Sequence, residues 1–415
     1  MKKYTAVHIS EEKTQAIPHK GLVIFILGLL SAIGPFSIDM YLPAFEDIAI
    51  GLQTTKHVVG YSLSSYFIGI SLGQLLYGPL LDRFGRKPMI YTGLIIYVLS
   101  SILCIYVQNV EQFIAMRFFQ AVGGCVGMVG SRALVRDLFP VKDTAKIFSY
   151  LMLVIAISPI IAPTAGGFLA SYFGWPSIFM ALGLIALVTF IGLYTFVPNG
   201  SAPDTEMSLL PKPIIQKFIA VSKVPKFYTY ALVSAISSSG LYAYLAASPT
   251  IFYDVFDVSK KQYGIIFAII ALGMTCANQT NTFLLRKFSS EQISKVNLFL
   301  QITAGAVLAF ATYQGWLGLY ATIGVIWIYM ATQGFVYPNT SALSLTPFRR
   351  SAGTASAWMG AIQLGIGAIT TALVSTFTKT SAFPMALTIL ICASLSTLIL
   401  FTLGRNIRAN GPTDL

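Results

Sequence analysis

The sequence predicts an all-α integral membrane protein, with twelve transmembrane helices in two pseudo-symmetric bundles of six. The chain of 415 residues is 55% hydrophobic and only 10% charged, whereas ordinary soluble domains contain about 25% charged residues. Twelve apolar stretches are each long enough to cross about 30 Å of hydrocarbon as a helix. Sequence features also recur at a nearly constant spacing in the two halves of the chain. These observations leave little room for a soluble domain.

The twelve apolar stretches are called spans 1 to 12, and their limits are predicted to within a few residues. They cover residues 21–43, 57–81, 88–107, 113–135, 147–169, 176–198, 227–253, 262–285, 296–314, 316–344, 353–377 and 384–404. A polar, charged segment precedes span 1, and span 1 is too long for a removable signal peptide and lacks an A-x-A cleavage site. We therefore expect span 1 to be a transmembrane helix.

The positions of the basic residues predict the orientation of the chain. Of 27 Lys and Arg residues, only Lys56, Lys260, Lys261 and Lys379 lie in loops on one side, and Arg117 lies inside a span. The other 22 lie at the opposite face, in its loops and tails or, as for Arg132, at the end of a span. Because Lys and Arg are enriched in cytoplasmic loops, both termini are predicted to be cytoplasmic. The net charge of +12 therefore follows from topology and predicts no nucleic-acid partner.

The two halves of the chain resemble each other and predict two bundles in the same orientation. Pro43 near the end of span 1 corresponds to Pro249 near the end of span 7, and residues 131–134 correspond to 340–343. Parallel repeats of this kind place a binding site between the halves near the membrane midplane. The predicted division is a cytoplasmic tail 1–20, a first bundle 21–198, a cytoplasmic linker 199–226, a second bundle 227–404 and a tail 405–415. Within the linker, residues 214–221 are weakly amphipathic.

Asp39 is the only carboxylate inside any of the twelve spans. A charge at mid-membrane costs about 2.5–3.5 kcal/mol on insertion scales, so an acidic residue there indicates function. Asp39 and Arg117 are both predicted about 6 Å below the outer ends of their helices and can therefore pair. Our hypothesis is that Asp39 couples transport to protons and that Arg117, at a distance that changes with conformation, modulates it. The alternative is an ion pair that only fixes span 1 against span 4.

The turn between spans 2 and 3 reads GPLLDRFGRK from residue 78 to residue 87. It resembles the G-x-L-x-D-R-x-G-R-[KR] signature of the major facilitator superfamily at every fixed position. We expect Gly78 to allow close helix approach and Gly85 a tight turn. Asp82 is expected to accept hydrogen bonds from arginines or helix N-termini. The bases hold the turn at the cytoplasmic surface; these are Arg83, Arg86 and Lys87.

Two further segments resemble motifs of the same superfamily. Span 4 contains RFFQ at residues 117–120, similar to the family's R-x-x-Q-G motif. Span 5 contains SPIIAPTAGG at residues 158–167, which resembles the antiporter motif G-x-x-x-G-P-x-x-G-G. Its candidate residues are Pro159, Pro163, Gly166 and Gly167. Proline and glycine at these positions suit a helix that bends in a moving bundle, and the alternative is an ordinary packing face of small residues.

The segment DMYLPA at residues 39–44 resembles the Bcr/CflA branch of drug:proton antiporters. With the other motifs, this resemblance covers essentially the whole chain. It implies an exporter of the bacterial inner membrane that exchanges protons for small amphipathic drugs or metabolites. It also implies a carrier in the lipid bilayer that acts as a monomer without a cofactor.

Two other functions remain open on the same fold: a proton-linked importer of a small nutrient, and a non-transporting membrane receptor. An enzyme is not expected, because the spans contain no His or Cys cluster and no Ser-His constellation. The sequence has no phosphate-binding loop, which counts against a primary pump. The four cysteines have no metal-ligand spacing, so no metal site is predicted.

Aromatic and polar residues on several spans are candidate substrate contacts, because amphipathic ligands bind in mainly apolar pockets with a few polar groups. Each of these residues can equally be a helix-packing residue. The candidates are Phe36, Tyr41, Tyr66, Gln120, Ser238, Tyr242, Tyr244, Gln333, Tyr337, Trp358 and Gln363.

Overall fold

The computed structural model describes residues 18–205, 209–316, 318–348, 351–378 and 381–409. Most of the predicted tails, residues 1–17 and 410–415, lies outside the described residues. Every regular element within the described residues is helical. The α-helices are α1 (Lys20–Asp39), α2 (Phe45–Gly51), α3 (Lys56–Phe84), α4 (Arg86–Tyr106), α5 (Val110–Leu138), α6 (Val141–Phe173), α7 (Pro176–Phe196), α8 (Pro211–Ser222), α9 (Pro225–Thr250), α10 (Lys260–Leu284), α11 (Ser290–Tyr313), α12 (Leu319–Leu345), α13 (Ala352–Phe377) and α14 (Phe383–Ala409).

The predicted architecture of two helical bundles is confirmed. α1 to α7 form the first half and α9 to α14 the second, and the twelve long helices correspond to the twelve predicted spans. The two halves meet along two seams, where α3 packs on α13 and α6 packs on α10. These seams join spans 2 and 11, and spans 5 and 8, which are equivalent pairs under the sequence repeat. The internal repeat therefore has a counterpart in the interface between the halves.

Eleven helical segments within the described ranges are long and apolar enough to cross a membrane. The remaining predicted span is α3, which has 29 residues but a more polar sequence rich in Ser, Gly and Tyr. Its position explains this composition, because α3 packs on α5 in its own half and on α13 in the other. Ser64 of α3 hydrogen-bonds Thr371 of α13 at 2.7 Å. Polar side chains on α3 thus face protein rather than lipid.

Span 1 is not one continuous helix. α1 ends at Asp39, a short 3-10 helix follows at Leu42–Ala44, and α2 begins at Phe45. Pro43 has no backbone N–H to donate and lies in the 3-10 turn, where this donor is not required. Asp39 is therefore the last residue of a helix, not an interior residue of a longer one.

The linker between the halves contains α8, a helix of 12 residues that includes the weakly amphipathic segment. α8 packs on α13 and α9. The end of the molecule that carries α8 is called the linker end, and the end at which α1 stops and α3 begins is called the opposite end.

Candidate functional site

Asp39 lies where the end of α1 meets the second half of the molecule. It is only 6% exposed, and within the described residues its carboxyl group forms no hydrogen bond and no ion pair. It interacts electrostatically with Tyr244 of α9 and Tyr263 of α10, both of which are buried. Burying an unpaired charge is costly, so proton binding at this carboxyl group is coupled to the packing around it.

Arg117 of α5 is fully buried and is held by groups of the first half. One terminal nitrogen donates to the backbone oxygen of Ser37 at 2.8 Å, and the other donates to Oε1 of Gln120. The guanidinium carbon lies 4.1 Å from the ring centre of Tyr41 and 4.3 Å from that of Tyr66. Carbonyl oxygens and aromatic faces are favourable surroundings for a buried cation.

The expected pairing of Asp39 with Arg117 is not present in this conformation. Arg117 instead contacts Ser37, which lies two residues earlier on α1. Two residues of an α-helix are separated by about 200° around its axis. Ser37 therefore faces α5, whereas Asp39 faces away from it and towards the other half. Similar depth in the membrane was not sufficient to predict a contact, because it does not specify the face of the helix.

A chain of hydrogen bonds extends from Arg117 through the first half. Nε2 of Gln120 donates to Oγ of Ser101 at 2.8 Å, and Ser101 donates to the carbonyl of Tyr97 at 2.7 Å. The Tyr97 hydroxyl and the Ser37 hydroxyl are 2.5 Å apart. Arg117, α1 and α4 thus form one connected polar network inside an apolar bundle.

The second half contains a comparable network without charge. Oγ of Ser237 donates to the side-chain oxygens of Gln301 and Gln333, each at 2.9 Å. Nε2 of Gln301 donates to Gln333 at 2.7 Å, and Nε2 of Gln333 donates to Ser238 at 2.8 Å. Two candidate contacts, Ser238 and Gln333, are therefore adjacent and hydrogen-bond each other.

The glycine pair of the span 5 motif lies at the joint between α6, the end of α1 and the start of α10. A Cβ atom at Gly166 would lie 1.7 Å from the carbonyl oxygen of Met40, and one at Gly167 would lie 3.3 Å from the carbonyl oxygen of Lys260. Pro159 and Pro163 lie within α6, which is helical from Val141 to Phe173. The motif thus provides a close packing face here, and bending at its prolines stays a prediction.

Ion pairs connect the two halves at the opposite end. Nζ of Lys260 in α10 lies 2.7 Å from both carboxylate oxygens of Asp47 in α2. Lys56 of α3 pairs with Asp254 of the second half and lies 3.6 Å from Glu46. Each half thus supplies one lysine to an acidic residue of the other. The four residues Lys56, Asp254, Lys260 and Asp47 are called the gate residues.

We expect reversal of one gate charge to open the opposite end. Lys260→Asp places two carboxylates together, and loss of about 1 kcal/mol changes a population ratio about fivefold. The Lys260→Asp/Asp47→Lys double variant should restore the closed population. Spin labels at positions 50 and 261, both exposed, report the separation of α2 and α10.

Lys295→Glu serves as a matched control for the gate variants, because Lys295 pairs with Glu291 within a single helix. It should leave the distance between the labels unchanged. If Lys260→Asp also leaves that distance unchanged, the ion pairs do not hold the opposite end closed.

A cavity of about 860 Å³ lies between the halves at the linker end. α3, α5, α8 and α13 supply most of its walls, and a volume of this size suits a small-molecule ligand. Its charged lining residues are Asp82, Arg86, Arg136, Asp137, Asp204 and Lys217. The molecule is therefore joined at the opposite end and hollow at the linker end.

The motif of the turn between α3 and α4 forms one wall of this cavity. Arg86 pairs with Asp82, and its Nε donates to Asp137 of α5 at 2.9 Å. Gly85 adopts a φ of 90°, which confirms the tight turn. Gly78 differs from expectation, because a Cβ atom there would meet nothing within 4 Å. It lines the cavity in this conformation and contacts no other helix closely.

The start of the linker covers the same charge cluster. The backbone N–H of Ser201 donates to Asp137 at 3.0 Å, and that of Asp204 donates to the backbone oxygen of Asp82 at 2.9 Å. Arg83 and Lys87 are half-buried and lie beside the turn.

None of the eleven candidate substrate contacts lines the 860 Å³ cavity. Tyr41, Tyr66 and Gln120 surround Arg117 instead. Tyr242 packs on Phe67 across the halves, with ring centres 4.7 Å apart. Their assignment as ligand contacts stays a prediction for a different conformation.

The other candidates are dispersed. Within the described residues, the buried hydroxyl of Tyr244 has no hydrogen-bond partner, whereas Tyr337 is 41% exposed. Trp358 donates from Nε1 to Ser222 of α8 at 2.6 Å. Phe36 and Gln363 are half-buried.

Several residues of the site were not anticipated from the sequence. Asp137 and the linker residue Ser201 complete the cluster at Arg86. In the sequence, the gate lysines were noted only as two of the few basic residues of the outer loops, with acidic residues near them in the chain. Their partners lie about 200 residues away, and no local pattern indicates such a pairing.

Comparison with known proteins agrees with this architecture. Residues 25–372 match the family model described as Major Facilitator Superfamily. The chain belongs to the Major Facilitator Superfamily. It is 30% identical to a "Bicyclomycin resistance protein homolog" of Haemophilus influenzae over 94% of this chain and 99% of that protein. It is 27% identical to a "Chloramphenicol resistance protein" of Pseudomonas aeruginosa, over 91% of this chain and 88% of that protein.

A solved structure of the same superfamily shares the fold. It is a bacterial homologue of the human lysosomal transporter Spinster in an inward-facing, occupied conformation, with a TM-score of 0.74 and 15% identity. The match covers 95% of this chain and 98% of that one. The superfamily consists of membrane carriers, so the chain is a multi-pass membrane transporter.

Proposed function

We propose that this transporter is a proton-coupled antiporter that exports small amphipathic drugs or metabolites by alternating access. The observation that carries the proposal is Asp39, a buried carboxyl group that faces the other half and has no cation partner within the described residues. Movement of the two halves changes the surroundings of such a group, and with them the cost of its charge. The names of the two relatives, which refer to bicyclomycin and chloramphenicol resistance, support the substrate class.

In the proposed orientation, the linker end and both termini are cytoplasmic and the protein lies in the bacterial inner membrane. The excess of Lys and Arg on this side supports the orientation. The 860 Å³ cavity then faces the cytoplasm, and the gate residues close the periplasmic end. Substrate enters the cavity from inside the cell, and its release outside requires the gate ion pairs to break.

Protons supply the energy in this scheme. One elementary charge that moves down the membrane potential releases about 2.3 kcal/mol per 100 mV. Asp39 takes up a proton from the periplasmic side and gives it up to the cytoplasmic side in each cycle, as movement of the halves changes the cost of its charge. Arg117, held by Ser37 and Gln120 in the present conformation, modulates this exchange. The protein acts as a monomer in the lipid bilayer, as a carrier without enzymatic activity or a cofactor.

Transport by the wild-type protein in proteoliposomes tests this function. With an imposed pH gradient, at least one member of a panel of antibiotics, dyes and amino-acid metabolites should move against the proton flux. Protons and compound moving in the same direction would instead indicate an importer. No movement of any compound, with folded protein and a stable gradient, would contradict a transport function for this panel.

A further inference from the structure

α8 has one face buried against the second half of the molecule. The ring of Phe218 packs on Trp358 of α13 with centres 5.4 Å apart, and Trp358 donates a hydrogen bond to Ser222. Val221 belongs to a buried apolar cluster with residues of α9 and α13. These contacts fix both the position and the rotation of α8 about its axis.

The two flanks of α8 have different surroundings. Pro213, Ile214 and Lys217 line the 860 Å³ cavity. Ile215 and Ile219 lie on the other flank and are 53% and 49% exposed. An isoleucine exposed to water contributes no free energy of burial. Ile215 and Ile219 are one helical turn apart and form an apolar stripe. This stripe faces away from the cavity, and therefore away from the interface between the halves.

The depth of α8 places this stripe near the membrane boundary. Trp358 is the seventh residue of α13, so the contact with Phe218 lies about 9 Å along that helix from its first residue. α13, from Ala352 to Phe377, is long enough to span a membrane and contains a sufficiently apolar stretch. α8 therefore packs beside the first two turns of a membrane-spanning helix rather than beyond its end. A helix at this depth with an apolar flank has the character of an interfacial helix.

Two exposed lysines lie next to the isoleucine stripe. Lys212 and Lys223 fall within about 80° of Ile215 around the helix axis, and both side chains are exposed. The sequence of α8, PKPIIQKFIAVS, contains no acidic residue. Basic residues near a membrane surface are attracted to anionic lipids.

We propose that α8 docks on the anionic phospholipid surface of the membrane leaflet at the linker end. Ile215 and Ile219 enter the boundary between headgroups and acyl chains, and Lys212 and Lys223 contact lipid phosphates. The opposite flank of the same helix lines the cavity, so bound lipid and the cavity lie on the two sides of α8. The proposal rests on the membrane-spanning fold and not on proton-coupled export.

Spin labels along α8 of the full-length protein in lipid nanodiscs test this docking. Each label is attached to a single introduced cysteine, Ile215→Cys, Ile219→Cys, Gln216→Cys or Ala220→Cys, after replacement of the exposed Cys276 by serine. Oxygen partitions into the bilayer and a nickel chelate into water. In nanodiscs with one third phosphatidylglycerol, the ratio of oxygen to nickel accessibility should be several-fold higher at positions 215 and 219 than at the control positions 216 and 220.

Two outcomes would overturn the proposal. A ratio of oxygen to nickel accessibility at positions 215 and 219 as low as that at positions 216 and 220 would show that water covers the stripe. Dipolar broadening between labels of two molecules at positions 215 and 219 would show that a second copy of the chain covers it.

The role of the lysines is tested separately with a charge-matched control. The Lys212→Gln/Lys223→Gln variant should lower the accessibility ratio at position 215 in nanodiscs that contain phosphatidylglycerol, and should have no effect in pure phosphatidylcholine. Lys217→Gln removes the same charge from the cavity flank of α8 and should leave the ratio unchanged. An unchanged ratio in the double variant would contradict recognition of anionic lipid.

Discussion

The Asp39→Asn variant should fold normally and lose substrate accumulation driven by a pH gradient. Asparagine has nearly the shape of aspartate but cannot exchange a proton. One pH unit corresponds to about 1.4 kcal/mol per proton, which supports about a tenfold substrate gradient with one proton per substrate. In proteoliposomes with a pH difference of about one unit and no membrane potential, the wild type should approach this tenfold substrate gradient. The variant should equilibrate its substrate and accumulate none.

Two further variants make this result specific to Asp39. Asp257→Asn is the same chemical change at an exposed loop residue with a φ of 51°, a conformation that asparagine also adopts readily. It should transport as the wild type does. Asp39→Glu keeps a carboxyl group and should keep part of the accumulation. An Asp39→Asn protein that accumulates substrate with unchanged pH dependence would exclude Asp39 from proton coupling.

Hydrophobic patterning was sufficient to predict the fold, because each span has to satisfy the length of the bilayer on its own. α3 shows the limit of composition as a criterion, since its sequence is polar enough to fall below the hydropathy expected of a span. Residues 57–81 were nevertheless predicted as span 2 from their length and mainly apolar composition. The break after Asp39 was not predicted, because Pro43 is equally compatible with a kinked helix and with a helix end.

The individual residues of the site were predictable, but not their contacts. Arg117 was selected because a lone base inside a span is costly. Its partners are a backbone carbonyl, the side-chain oxygen of Gln120 and two aromatic faces, which a search for opposite charges cannot find. The hydrogen-bonded networks centred on Arg117 and on Gln333 could not be predicted either, because that requires knowing which helices are neighbours.

The sequence also does not determine which conformation of the transporter is observed. An alternating-access carrier has at least two arrangements of the same helices, and one sequence encodes both. In the arrangement described, the candidate ligand contacts are dispersed over both halves, and the cavity is lined by other residues. Gly78, which has no close neighbour here, is free to approach another helix when the linker end closes.

The Gly166→Ala variant should lose both stability and transport, because the added methyl group meets backbone atoms that cannot rotate away. Its Cβ would lie 1.7 Å from the carbonyl oxygen of Met40 and 2.7 Å from the carbonyl carbon. The end of α1 must therefore move away from α6. Overpacking of this kind typically costs about 1–3 kcal/mol. We expect a lower midpoint of thermal unfolding in detergent and a transport rate at least about tenfold lower, which corresponds to about 1.4 kcal/mol.

Gly324→Ala in α12 is the matched control, since a Cβ atom there meets nothing within 4 Å. It should leave transport unchanged and, because alanine is favoured over glycine inside a helix, should not lower the midpoint of unfolding. The two measurements also distinguish packing from coupling. Met40 is adjacent to Asp39, so displacement of α1 moves the carboxyl group relative to Tyr244 and Tyr263 of the other half. If the residual transport of Gly166→Ala has a shifted pH dependence, the close contact at Gly166 positions Asp39. If stability falls and the pH dependence is unchanged, Gly166 serves packing alone; an unchanged stability would contradict the close contact itself.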